Sequence, residues 1–497
     1  MTLIETRDKS LTAKINGTTI HSKYSPIKEA DKFLSSKLVN LDDTSTVVII
    51  GPGIGYLYTS ILKTNSKVRV IGIPLDEKLA KLSLEENRSG RVQWDNKTSI
   101  HDFLKKNINM FNIKGIQIIE WSPVVKAFPE RYKEVSLALL SYIRRLNGNI
   151  LTTARFGRLW LRNSIKNYIN INSYIYGIEI NKPVIIVASG SSLNSYINFL
   201  KEIREKVFVI ALSSANLALK HFNINPDIVF STDPGYYSKL HINKNEEILA
   251  CPLTNSTSTK ENVLLLNQNI FFEKQILTMD HIPNFCVNEN GTVAGTALEF
   301  ALKHSSYPIF LVGQDLESSD IKSHVSPYSF ENLLKKSESK VEPYYSIMYK
   351  RWSQIGVTYK TYRDWYSMIS KQYKNRIFRL NEHSNKIDGI EDIDKEFVRS
   401  TIRDIKNNSR FNFSTFQQIT KEDRIKNVKS LLTKWLNSID NKDFDENPLF
   451  YLISTSKYTD TKNMTILSKK NELLKECREE SRLFIEGLLV RYGRKLL

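Results

Sequence analysis

Short apolar runs bounded by glycine and small polar residues alternate with stretches of helical spacing along most of the chain. Val47–Ile50 is continuously apolar, Gly51-Pro-Gly-Ile-Gly55 follows, and Tyr56–Lys63 returns to helical spacing, which predicts strand, tight turn and helix. A second strand is expected at Val68–Ile73, with a helix after it, and upstream Ser25-Pro26 followed by a Lys/Glu/Ala run reads as a helix start. From Phe128 to about Ile171 the apolar positions Leu139, Tyr142, Ile143 and Leu146, then Phe156, Leu159, Trp160 and Ile165, recur at helical intervals and predict a helical connector. The strand–turn–helix pattern then repeats, with a strand at Val184–Ala188, a turn at Ser189–Ser192 and a helix at Leu193–Ile203. Strands follow at Val207–Leu212, Ile228–Ser231 and Pro308–Val312, the last preceded by a helix from Gly295 to His304. Beyond about Asp394 the pattern is helical and charged, ending in a helix at about Asn471–Tyr492 that carries Leu473, Leu474, Cys477, Leu483, Phe484 and Leu488 on one broad face. The expected fold class is α/β: a Rossmann-like amino-terminal domain with its connector over 1–170, a central Rossmann-like domain over 171–395 and a helical part over 396–497.

A length of 497 residues fits about three domains at roughly 150 residues each, and 41% apolar with 25% charged residues fits a folded globular chain. The 71 basic residues exceed the 53 acidic ones by 18, a charge that suits an anionic partner or, equally, well-solvated lysine-rich faces. No basic stripe interleaved with aromatics accompanies it, so nucleic acid is not expected as a partner. Three scattered cysteines (Cys251, Cys286, Cys477) form neither a disulfide framework nor a zinc pattern, and no metal is expected. The amino terminus lacks a secretory pattern and no apolar run approaches 18 residues, so a cytoplasmic protein without a membrane span is expected.

The chemistry-bearing residues cluster at predicted strand ends. Gly51–Gly55 resembles a phosphate or adenosine turn, yet the second strand ends Ile73-Pro74 and its acidic residue, Asp76, comes only after the proline, so a turn kept for packing is the stronger reading. The second turn carries more. The turn Ser189–Ser192, with Gly190, Ser191 and Ser192, offers N–H groups and hydroxyls at a helix start, which suits a phosphate; Ser214 and Asn216 follow the next strand, and Asp233 ends the third. Thr292, Gly295 and Thr296 open a helix, and Gly313, Gln314 and Asp315 follow the last strand. Ligands of open parallel sheets bind outside the carboxyl ends of the strands, where these pieces converge.

The segments VASGSSLN, ALSSANLAL, INPDIVFSTDP and LVGQDLESSDIKSH, in this order, resemble the central domain of the motility accessory factor (Maf) flagellin glycosyltransferases, also labelled 6-hydroxymethylpterin diphosphokinase-like. HSKYSPIKEA and GPGIGYL resemble the amino-terminal part of the same proteins, so the resemblance spans roughly residues 20–390. It implies transfer of a nonulosonic acid (pseudaminic, legionaminic or sialic type) from its CMP-activated form to Ser or Thr of flagellin, with no cofactor required. The central domain is also similar to bacterial CMP-sialic acid sialyltransferases, a GT-A-like arrangement in which the turn equivalent to Gly190-Ser191-Ser192 lies against the nucleotide. In those enzymes the position of Ser214 is Asn, Asp233-Pro234 is an Asn-Pro pair, and the segment matching Thr292–Thr296 lies near the donor. The two tyrosines that they place near the donor phosphate have no counterpart directly after Gly313–Leu316.

Breaking the donor bond requires hydrogen-bond donors to the departing phosphate and a base for the acceptor hydroxyl. His324 is the candidate for one of these roles; Asp315 and Asp233 are candidates for orienting donor hydroxyls. Two competing readings are a diphosphokinase acting on 6-hydroxymethylpterin, with Mg²⁺ held by Asp227, Asp233 and Asp315, and a non-catalytic flagellin-binding chaperone.

Overall fold

The computed structural model describes all residues except 38–40, 42–44, 85–90, 110–112, 114, 243–247, 269, 289, 317–323, 371–372, 374, 382–385, 406–411, 443, 445–446, 461–469 and 494–497. By contacts the chain divides into two compact units, Met1–Gly157 with Asn437–Phe484, and Arg158–Leu436 with Ile485–Leu497. This division differs from three consecutive segments. The carboxyl-terminal helices Lys421–Ser438, Pro448–Asp460 and Lys470–Gly493 do not stand apart but are shared out between the units.

The first unit holds a parallel four-stranded sheet in the order Arg91–Gln93, Arg69–Ile73, Thr46–Ile50, Ile116–Glu120. All five residues of Thr46–Ile50 are buried, as a central parallel strand with covered faces requires. A small antiparallel sheet of Thr2–Glu5, Leu11–Ile15 and Thr18–Thr19 precedes it, with the helix Pro26–Lys37 beginning at the expected proline.

The second unit is built on an eleven-stranded sheet. Its order is Glu391–Ile393, Ile377–Leu380, Ile309–Val312, Val184–Val187, Phe208–Leu212, Ile228–Phe230, Ile248–Pro252, Val263–Asn267, Ser173–Tyr176 and Ser414–Gln417, with Phe285–Cys286 beside Val263–Asn267. Every pair is parallel except the edge pair of Ser414–Gln417 with Ser173–Tyr176. Successive residues of the central strands alternate between faces. Ile186, Ile210 and Leu311 join one core with Leu298 and Phe300, while Ile185, Val209 and Phe310 are equally buried on the other face. From Val184–Val187 the chain steps strand by strand to one side as far as Val263–Asn267. It then returns to place Ile309–Val312 on the other side of Val184–Val187, which makes the carboxyl ends of these two strands a topological switch point.

Candidate functional site

The two turns at that switch point cross in contact. Gly190 N–H donates to the Gly313 carbonyl at 2.9 Å, and Ala188 N–H donates to Val312 O at 2.8 Å. A Cβ on Gly313, whose φ is +68°, would collide with the Ala188 carbonyl, so glycine is required there by both backbone angle and space. Asp315 then lies on the start of the helix Leu193–Ile203: its Oδ2 accepts from the Ser192 N–H at 3.0 Å and from the Ser191 hydroxyl at 3.4 Å, and its Oδ1 accepts from the Ser192 hydroxyl. A carboxylate from the chain itself therefore holds the anion position of this helix terminus.

This corrects the expectation that the Ser189–Ser192 turn presents its N–H groups to a ligand phosphate. Those of Gly190 and Ser192 are spent within the protein, on the Gly313 carbonyl and on Asp315. Asp315 is half-buried, and its Oδ1 retains lone-pair capacity for a hydroxyl donor such as a ribose or sugar OH.

Next to this crossing, the Ser189 hydroxyl donates to Ser214 Oγ at 2.9 Å, and Val325 N–H donates to the Ser189 carbonyl at 2.9 Å. These bonds bring Ser214, in the first turn of Ser213–His221, and His324 to the same edge of the sheet. His324 stacks on Tyr328 (centroids 4.2 Å apart, 19° between planes), and Tyr328 and Phe330 pack against His241 at 5.5 and 4.3 Å. Residues Glu317, Ser318, Ser319, Asp320, Lys322 and Ser323, the other polar groups of that loop, lie outside the described residues.

Asp233 is exposed, with its Oδ1 accepting from the Gly235 N–H at 2.7 Å. Its backbone carbonyl is held by the Ser256 N–H at 3.1 Å and the Asn255 side-chain amide at 3.0 Å. It faces His241, a residue to which no sequence motif points. Burial pushes the His241 imidazole down to about 4, with Asp233 opposing and His324 reinforcing the shift. Asn216 is buried and its side-chain amide reaches the His241 carbonyl at 3.5 Å. Ser214, Asn216, Asp233, His241 and His324 thus form one neighbourhood, adjoining the crossing of Gly190 and Asp315.

Thr292, Gly295 and Thr296 have local duties at the same edge. Thr292 Oγ accepts from the Gly295 N–H at 2.9 Å and caps Val293–His304, and the buried Thr296 hydroxyl donates back to Thr292 O at 3.2 Å. Removing this cap, in Thr292→Ala, is expected to lower the stability of the second unit by about 1 kcal/mol in urea titration. Gly295 lets Trp365 approach, since a Cβ there would lie 3.1 Å from Trp365 Cη2. Gln314 is half-buried, and its carbonyl lies 3.5 Å from Arg379, a buried guanidinium paired bidentately with Asp392 at 2.6 and 2.9 Å.

Trp365 belongs to a helix the sequence reading missed, Tyr344–Ser370. From it Tyr359 is pushed up by burial first and by the charge of Asp315 second, and Arg363 donates to Leu316 O at 3.4 Å. The run TYKTYRDWY, with aromatics at Tyr359, Tyr362 and Tyr366, carried the helical signal that would have found it.

Asp227 corrects the carboxylate set of the diphosphokinase reading. It precedes strand Ile228–Phe230, at the amino ends of the strands, where it pairs with Arg204 at 2.9 Å and accepts from the Val209 N–H at 2.7 Å. Asp233 and Asp315 lie at the carboxyl ends. No cluster of three or more His, Cys, Asp or Glu side chains able to hold a metal ion occurs among the described residues.

Residues 160–320 match a family model described as 6-hydroxymethylpterin diphosphokinase MptE-like. A curated uncharacterized protein of Treponema pallidum (strain Nichols) is 26% identical over 310 residues, which is 61% of this chain and 69% of that protein. Among solved structures, the MAf glycosyltransferase from Magnetospirillum magneticum AMB-1 is similar with a TM-score of 0.55 at 14% identity, over 99% of this chain and 91% of that one. No helix among the described residues is long and apolar enough to cross a membrane.

Proposed function

Taking as premise a chain that carries an MptE-like domain within the fold of a Maf glycosyltransferase, we propose that it is a glycosyltransferase acting at the switch point of its second unit. The finer reading is that it moves a nonulosonic acid from a CMP-activated donor to Ser or Thr of flagellin, in the cytoplasm, with flagellin as partner and no cofactor. The observation that carries it is the gathering of Ser214, Asn216, Asp233 and His324 at the strand ends beside Asp315. Hydroxyl and amide groups suit a sugar nucleotide, Asp315 Oδ1 suits one of its hydroxyls, and the imidazole of His324 suits proton transfer. The donor brings its own leaving group, a phosphate that departs with the bonding electron pair as the acceptor oxygen attacks and loses its proton. The diphosphokinase reading has weaker support, because Asp227 sits at the opposite edge of the sheet from Asp233 and Asp315.

The test is incubation of the purified full chain with a CMP-nonulosonate and unmodified flagellin. A flagellin mass increment of one nonulosonate residue, with release of CMP, is expected. Release of AMP from ATP in the presence of a pterin alcohol, with flagellin unchanged, would replace this reading by the kinase. Flagellin bound but unmodified with every CMP-nonulosonate, and without kinase activity, would replace it by the chaperone.

A further inference from the structure

The sheet of the first unit has a switch point of its own. The chain runs from Thr46–Ile50 through Arg69–Ile73 to Arg91–Gln93 on one side, then returns to place Ile116–Glu120 on the other. The crevice between Thr46–Ile50 and Ile116–Glu120 is therefore where an open α/β sheet takes a ligand, and the turn Gly51–Gly55 opens the helix Tyr56–Thr64 beside it.

A side chain already fills that position. His21 Nε2 accepts from the Ile54 N–H at 3.1 Å. The imidazole lies over Trp121, at the end of Ile116–Glu120, with centroids 5.4 Å apart and planes 28° from parallel, while Tyr56 meets it edge-on at 5.0 Å. A Cβ on Gly53 would collide with the ring nitrogen and lie 2.8 Å from Cε1, so the glycine makes room for this imidazole. The residue is 2% exposed, and its Nδ1 has no hydrogen-bond partner among the described residues. The Glu29 carboxylate stands 3.9 Å from Nδ1.

The segment carrying His21 is braced from behind. The Thr12 hydroxyl donates to His21 O at 2.9 Å and accepts from its N–H at 3.0 Å, and the Trp121 indole N–H donates to Ile20 O at 2.7 Å. Tyr56 OH exchanges bonds with the backbone of Leu11 at 2.9 and 2.7 Å.

A ligand in such a crevice presents an acceptor atom to the N–H groups at the helix start and a flat ring to an aromatic wall. His21 does both. We infer that the first unit contains a ligand site whose ligand is built in: the His21 side chain occupies the glycine turn, excludes free nucleotides from it, and when removed leaves a pocket for a small planar heteroaromatic acceptor of imidazole size. This inference is independent of the proposed transferase activity, because its test uses neither donor nor flagellin.

The test compares the full-length wild-type chain with His21→Gly and His21→Asn, by thermal unfolding at pH 8 with imidazole as the probe. Both variants are expected to melt lower than wild type, and imidazole is expected to restore half or more of the loss in His21→Gly, saturably, while leaving wild type unchanged. Asn retains an acceptor for the Ile54 N–H and fills part of the space, so it should lose less and recover less. Absence of recovery in both variants overturns the inference, as does wild-type binding of AMP or ATP that survives Gly190→Val in the second unit and is lost in Gly53→Ala.

Acid sensitivity supplies a second readout. Burial lowers the His21 imidazole from 6.5 to about 3. The unfolded chain takes up this proton near 6.5 and the folded chain does not, so the contribution of His21 is complete above 6.5 and declines as pH falls toward 3. Among the described residues, Glu29, pushed up by burial, and Tyr56 are titratable groups facing the ring, and Glu29 works in the opposite sense, gaining a proton more readily in the folded state. Wild type should lose stability between pH 6.5 and 4 faster than His21→Asn; parallel curves would count against the buried neutral ring.

Discussion

His324→Asn is expected to leave CMP binding within a few fold of wild type and to slow flagellin modification by about 10²–10⁴, the usual cost of losing a general acid or base. The imidazole stands at the strand-end edge because Val325 is bonded to Ser189, and its plane is set by the stack on Tyr328. Asn keeps polarity and approximate size but cannot exchange a proton near neutral pH. The stack needs its own control, since Asn also gives up the ring contact with Tyr328. Tyr328→Leu removes the stack while keeping the imidazole, so a loss confined to His324→Asn identifies proton transfer. Hydrolysis of the donor without acceptor separates the two roles: it falls with transfer if His324 serves the departing phosphate, and changes less if His324 activates the acceptor. His241 is the poorer proton acceptor of the two, because burial pushes its imidazole down to about 4. Transfer at the wild-type rate in His324→Asn returns this residue to an ordinary loop histidine.

The other large effect is structural. Gly190→Val is expected to destabilise the second unit by at least about 3 kcal/mol and to abolish CMP binding with it. Even the first added carbon has nowhere to go: a Cβ on Gly190 would collide with the Gly313 carbonyl and lie 2.5 Å from Asp315 Oδ2 and 2.6 Å from its Cγ. The obstacle is partly backbone, so a rotamer change does not relieve it. Shifting the turn would break the Gly190–Gly313 bond and unseat Asp315 from Ser191 and Ser192. Gly291 supplies the comparison. Its φ is +70° but a Cβ there meets nothing within 4 Å, so Gly291→Ala should cost only the backbone strain of about 1 kcal/mol. Equal stability losses for the two substitutions in urea titration would refute the crossing of turns as the cause.

The central strands and the helices beside them were legible because they are written locally, whereas Ile248–Pro252, Val263–Asn267 and the helix Tyr344–Ser370 were not expected. Continuous apolar runs marked Val184–Val187 and Phe208–Leu212, and the helix Leu193–Ile203 begins and ends where its spacing says. The connector expected from Phe128 to Ile171 is the single helix Pro129–Asn170. The glycine turns were legible as turns, but their occupants were not. Asp315 reaches Ser192 across 123 residues and His21 reaches Ile54 across 33, and no periodicity connects such pairs. In sequence the second turn looks open to a phosphate and the first reads as a turn kept for packing, whereas in the fold a carboxylate from elsewhere in the chain takes an N–H group of the second and an imidazole one of the first. His241 escaped notice for a related reason, since its burial and its neighbours arise only when the loops after three strands meet.

The first unit is discontinuous, and this fixes an order in time. Its amino-terminal segment ends at Gly157, yet the unit also takes in residues 437–484, where Phe450, Leu452 and Ile453 are buried and Tyr451 packs against Ile113 and Ile150. On the ribosome, residues Arg158–Leu436 must all be made before that second segment emerges, an interval of at least about 14 s at roughly 5–20 residues per second. During it the first unit lacks the segment 437–484, while the second unit, already almost entirely synthesised, is free to fold. Completion of the first unit is therefore among the last events of synthesis, and a fragment ending near residue 170 would lack the segment 437–484 altogether.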